Sequence, residues 1–217
     1  MKIIMMILQI VMGFLNKPKA TPIDATCTEK LPVATDPNQF REWLRVEVEK
    51  KGQPPLGYEA VGEPGKPGRK TYCNFFVRSV LKNIFSWPEF EHENDDQAGE
   101  MVDYMETHPG TWQKLGGTFN YIIKGQTVPR VGPAYEVAVR YAAQGCLVVA
   151  GQKNPDYPKT PPTGHVCVIA PENQLIFSNK WGRPVPLAVN VGASNWYGKA
   201  LSFAFEKEPN LYLFLGA

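Results

Sequence analysis

The chain has 217 residues, 43% hydrophobic and 20% charged, a balance that excludes a disordered or collagen-like polymer and suits one core of ordinary size. A net charge of +2 is too small to argue for nucleic acid as a partner. Four cysteines, Cys27, Cys73, Cys146 and Cys167, form no CxxC pair, so neither a zinc site nor another cofactor is expected.

After Met1-Lys2, the run Ile3 to Leu15 is almost unbroken in apolar character. It is short for a membrane span and right for the apolar region of a secretory signal. The flank Asn16-Lys17-Pro18-Lys19-Ala20 is basic, and Pro18 argues against a cut after Ala20. Residues 1–20 are therefore expected to be a signal peptide or an N-terminal apolar segment. Removal would place the protein in the periplasm or outside the cell; retention would anchor it to the membrane. Residues 21–36 read as a linker and 37–217 as the folded domain. In an exported chain Cys27 has the option of pairing with another cysteine, although spacing does not select one.

Asp36-Pro37 pairs a helix-capping residue with proline at the first helical position. Phe40, Trp43, Leu44, Glu47 and Val48 then keep helical spacing up to Lys51. Residues 52–70 are dense in Gly and Pro and read as a loop. That loop leads into Thr71-Tyr72-Cys73-Asn74, where a helix opens. Phe76, Val77, Val80, Leu81 and Ile84 form its apolar face, which stops before Trp87-Pro88. Two more helices are expected, from about Gln97 to Thr107 and from Pro133 to Gln144, the latter stopped by Gly145. From Cys146 the period changes to that of strands. These are Cys146–Ala150, His165–Ala170, Leu175–Ser178, Pro186–Val191 and Ala200–Phe205, with Leu211–Leu215 closing the sheet. Helices first and strands later predict an α+β fold with an antiparallel sheet.

The chemistry concentrates on few residues. A cysteine in the first turn of a helix meets free N–H groups and the positive end of the helix dipole, both of which favour the thiolate. Cys73 holds that position, although a buried helix cysteine is the plainer reading of Cys73 alone. Cys146 and Cys167, in apolar strands, read as small buried hydrophobes. His165 opens an apolar strand and is the best base among the three histidines. His108 precedes Pro-Gly at a helix end, and His92 sits in an acidic run. Thiol hydrolysis also needs a group that orients the imidazole, facing the same side from a neighbouring strand. Asn190, polar within Val189-Asn190-Val191, fits, with Ser178 and Asn179 as rivals. Trp181, Trp196 and Tyr197 fall in loop-like stretches and suit either a substrate groove or core packing. The proline-bearing loop from Lys153 to Thr163 precedes His165 and suits one wall of a cleft.

Thr-Tyr-Cys73-Asn-x-Phe-Val, Gly-His165-Val-x-Val-Ile and Asn190-Val-Gly-x-x-Asn195 together resemble the papain-like cysteine amidases of the NlpC and CHAP kind. Ser178–Gly182 and Ser202–Phe205 fit the sheet region of such proteins, and the resemblance covers roughly residues 68–206. It implies a papain-like fold with N-terminal helices followed by an antiparallel sheet. It also implies a peptidoglycan hydrolase, with Cys73 as nucleophile, His165 as base and Asn190 as the third residue. The substrate would be a peptidoglycan stem peptide or the glycan–peptide junction. Antibacterial members imply an inhibitor (immunity) protein as a partner, and the protein is expected to be a monomer. The chain departs from the pattern in that Tyr72 and Asn74 replace the residues of an Asp-Cys-Ser-Gly signature, and no second histidine stands at the third position. Two alternatives stay open: a non-catalytic papain-like binding module, and a cysteine peptidase acting on proteins.

Overall fold

A computed structural model describes residues 32–62, 71–87, 97–116, 119–123, 126–130, 134–154 and 164–216. The expected signal segment, most of the linker, Cys27, His92 and the loop 155–163 lie outside the described residues. Among the described residues no helix is long and apolar enough to cross a membrane.

The elements run α1 (Pro37–Val48), α2 (Cys73–Phe85), α3 (Ala98–Thr107), β1 (Trp112–Leu115), β2 (Phe119–Ile123), β3 (Gln126–Arg130), α4 (Ala134–Ala143), β4 (Val148–Lys153), β5 (Gly164–Ile169), β6 (Leu175–Ser178), β7 (Arg183–Asn190), β8 (Trp196–Ala200), a 3₁₀ turn (Leu201–Phe203) and β9 (Asn210–Phe214). This is an α+β protein with an antiparallel sheet. One compact unit comprises Glu29–Phe119 and Arg130–Ala217; residues Asn120–Pro129, from the two-stranded β2–β3 pairing, fall outside it.

The helices start where their side chains can satisfy them. Asp36 caps α1, accepting from the backbone N–H of Asn38 at 2.8 Å, with Pro37 at the first helical position. The Glu100 carboxylate reaches back to accept from the Gln97 N–H, 3.0 Å away, and closes the start of α3. Ser86 ends α2 in the left-handed conformation, with φ of 52°.

The seven-stranded sheet has the order β1-β9-β4-β5-β7-β6, with β8 also paired to β7. Its strands alternate between two apolar faces. Val149, Val166, Val168, Val189, Tyr212 and Phe214 meet Phe40 and Leu44 of α1, Phe76 and Val80 of α2, and Met101 and Met105 of α3. Val148, Ala150, Cys167, Ile169, Ala188 and Leu213 meet Tyr135, Ala138 and Ala142 of α4 together with Leu201 and Phe205. Each fully buried Val, Leu or Phe contributes about 1.5–3 kcal/mol relative to an exposed one, so both faces hold the sheet.

Three expectations need correction. Residues 210–214 do not close the sheet: β9 lies inside it, because β1, too short to stand out in the sequence, pairs with it from Trp112↔Phe214 to Leu115↔Leu211. Residues 201–203 form a 3₁₀ turn rather than a strand. Trp196 and Tyr197 belong to β8 rather than to a loop.

Candidate active site

Cys73 is the first residue of α2. The carbonyl of Tyr72, the N-cap residue, accepts the first helical bond from Phe76 N–H at 3.0 Å. Amides of a first turn have no carbonyl one turn back to bond, so they stay available to a nearby anion. Here the backbone amides of Asn74 and of Val166, from the adjoining strand β5, are directed at the Cys73 sulfur. The residue itself is only 3% exposed.

His165 is the second residue of β5 and stays partly exposed. Its position depends on Gly164. A Cβ on Gly164 would stand 2.6 Å from the Gln152 carbonyl oxygen and 3.0 Å from the Gly99 nitrogen, so only glycine lets α3 abut the strand there. On the other side of the ring stands Gly192, where a Cβ would come within 3.1 Å of His165 Cε1. The ring of Phe205 packs beside the imidazole, with centroids 5.0 Å apart and planes inclined at 56°.

Two hydrogen bonds define which nitrogen does what. The Asn190 Nδ2 amide donates to the Ser194 carbonyl at 2.7 Å, which turns Asn190 Oδ1 toward the imidazole. His165 Nε2 donates to that oxygen, also across 2.7 Å. With the proton held on Nε2, the remaining nitrogen, Nδ1, is the basic one, and the imidazole hydrogen-bonds the Cys73 sulfur. Asn190 is itself 5% exposed, so this bond is shielded from water.

The titrations of the pair move toward each other. Burial has the largest effect on Cys73 and pushes its thiol up. The hydrogen bond and charge of His165, with the amides of Val166 and Asn74, outweigh burial and hold the thiol below its ordinary value. For His165, burial pushes the imidazole down, while the hydrogen bond and charge of Cys73 and then the bond to Asn190 hold it above its ordinary value. Their contact thus shifts Cys73 toward the thiolate and His165 toward the imidazolium.

The other sequence candidates lie elsewhere. Ser178 Oγ donates to Ser202 Oγ at 2.7 Å and accepts from the Trp181 N–H. It sits on β6, which pairs with β7 through residues 183–186 and not through Asn190. Asn179 is exposed in the following turn. His108 stacks on Tyr104, with ring centroids 3.8 Å apart, at the end of α3. Trp181 packs parallel to Tyr135, and Tyr197 donates to Glu172 at 2.7 Å beneath the Arg45 guanidinium. Cys73, Cys146 and Cys167 all carry free thiols.

Sequence reading assigned no role to Gly192, Phe205, Tyr58 or Asn195. Gly192 and Asn195 entered it only as members of the Asn190-Val-Gly-x-x-Asn195 motif. No family model matches the chain, and no curated protein matches it in sequence.

Proposed function

We propose that the protein is a papain-like cysteine hydrolase that cleaves amide bonds of peptidoglycan. The observation that carries this reading is the ordered relay from Cys73 through His165 to Asn190, in which the Ser194 carbonyl fixes the amide and the amide fixes the tautomer. The peptidoglycan substrate rests on the likeness of the Cys73, His165 and Asn190 motifs to wall amidases. Export by way of residues 1–20, action as a monomer and control by an inhibitor protein belong to the same proposal.

The Cys73 thiolate attacks the amide carbonyl and a C–S bond forms. The oxyanion that develops is held by backbone N–H groups at the start of α2. Imidazolium His165 gives its Nδ1 proton to the leaving nitrogen as the C–N bond breaks, and a free amine departs. Neutral His165 then takes a proton from water. The hydroxide attacks the thioester, the C–S bond breaks, and a carboxylic acid and the thiolate are restored.

The test is incubation with purified peptidoglycan, separation of the released fragments and identification of the new amines. Wild type should release fragments and Cys73→Ala should release none. Release by Cys73→Ala would overturn the nucleophile assignment. An intact wall with a hyper-reactive Cys73 would move the substrate class to proteins.

A further inference from the structure

Loop 191–195, between β7 and β8, carries a second asparagine whose two ends are both engaged. Asn195 Oδ1 accepts from the Gly192 N–H at 3.2 Å, closing the loop on itself. Asn195 Nδ2 donates to the Tyr58 carbonyl at 3.2 Å, tying the loop to a segment 137 residues earlier. Tyr58 is buried, and its ring stands edge-on to Phe76 of α2, with centroids 5.4 Å apart at 86°. Its hydroxyl donates to the buried Glu47 of α1 at 2.8 Å, and Lys50 pairs with the same carboxylate. One side chain therefore joins the loop bearing Gly192 and Ser194 to a residue packed three positions along the helix from Cys73.

We propose that Asn195 is a positioning residue that sets the register between the two halves of the site, α2 with Cys73 and the β7 end with Asn190 and His165. Gly192 limits the imidazole on one side, and the Ser194 carbonyl holds the Asn190 amide. Both are loop atoms that Asn195 anchors. Loss of the anchor frees the Ser194 carbonyl, the Asn190 amide turns, and the imidazole no longer presents Nδ1 to the sulfur. Among the described residues, the titratable group that acts on the ring is Cys73; Cys167, two residues along the same strand, is held by burial well above its ordinary value. The effect of Asn195 therefore passes through the Cys73–His165 pair.

This inference rests on the Cys73–His165 pairing of the proposed function and is tested without turnover. The rate of Cys73 alkylation by iodoacetamide is measured from pH 4 to 10 in the full chain, with melting followed by circular dichroism. Wild type should alkylate well below the pH at which a free thiol does. Asn195→Ala should lose about tenfold in rate near pH 6, equivalent to a shift of about one pH unit in the thiolate titration. Asn195→Ser, whose hydroxyl still accepts from Gly192 N–H but cannot reach Tyr58, should lose less, and it serves as the reading variant if the alanine form does not fold. A wild-type profile in the folded variants overturns the positioning role, whatever the hydrolysis assay shows. A shifted profile in a protein inert on peptidoglycan supports the role and sinks the substrate assignment alone. Ordinary thiol behaviour in wild type overturns both.

Discussion

Cys73 at the start of α2 and Cys167 within β5 are both buried thiols, the first hydrogen-bonded to His165 and the second two residues along the strand from it, yet they titrate in opposite directions. Burial pushes both up. For Cys167 it is the largest effect, the Cys73 charge adds to it, and the thiol ends well above its ordinary value, a small hydrophobe among Ile169, Ala188 and Leu201. At Cys73 an imidazole and two backbone amides reverse the balance. The direction in which a thiol is shifted here is not set by exposure or by depth alone. It follows from whether a cation and N–H donors converge on the sulfur, and a helix start beside a strand end supplies both.

That contrast can be broken most severely at Cys73, the proposed nucleophile. Cys73→Ala should lower amide hydrolysis by at least about 10³-fold, because no other group in the described site attacks carbon. Its melting temperature should stay within a few degrees of wild type, as only a sulfur atom leaves a packed position. Next in size is His165→Ala, which leaves Cys73 with burial and amides alone. Its thiolate should need more alkaline conditions, and hydrolysis should fall by about 10²–10⁴-fold.

The same pair predicts a bell-shaped profile in wild type. The rate climbs with pH as Cys73 ionises, below the ordinary thiol value of 9.0, and falls as His165 deprotonates, above the ordinary imidazole value of 6.5. A plateau bounded by a thiol limb at or above 9.0 would contradict the ion pair.

Asn190→Ala should cost less, about 10- to 100-fold in hydrolysis, since the imidazole remains but its tautomer and tilt are no longer held. Much of that loss should appear in kcat rather than KM. The smallest effect is expected where the contrast predicts inertness. Cys167→Ala removes one buried atom, costs about 1 kcal/mol and should lower the melting temperature by about 2–4 °C. Thiol labelling at neutral pH should be unchanged by it; a large drop would mean that Cys167, not Cys73, is the reactive thiol.

The helices were legible from their punctuation: Asp36-Pro37 and the Gly/Pro-rich loop before Cys73 mark starts, and His108-Pro109-Gly110 and Gly145 mark ends. Helix α2 shows the apolar face its spacing predicts, and α3 and α4 fall within a residue or two of their expected bounds. β1 was missed because four residues carry too little period to rise above a loop. The 3₁₀ turn at Leu201 was mistaken for strand because its composition is that of a strand. Asn190 could be singled out as a polar residue in an apolar strand. Asn195 stood out only as part of the Asn190-Val-Gly-x-x-Asn195 motif, since an asparagine in a Gly-containing loop is otherwise ordinary turn chemistry.

What the sequence determined by itself was a set of local facts: a cysteine at a helix start, a histidine at a strand mouth, an asparagine facing inward, and an α+β order of elements. Each of these follows from propensity, capping or period, which act over a few residues. Tertiary structure alone decided that the three residues meet, that Ser194 orients the amide, that Phe205 and Gly192 confine the imidazole, and that Asn195 ties the loop to Tyr58. These contacts join residues far apart in the chain, so they depend on sheet order and register. Local sequence does not encode either one, because pairing partners are chosen by the packing of the whole core.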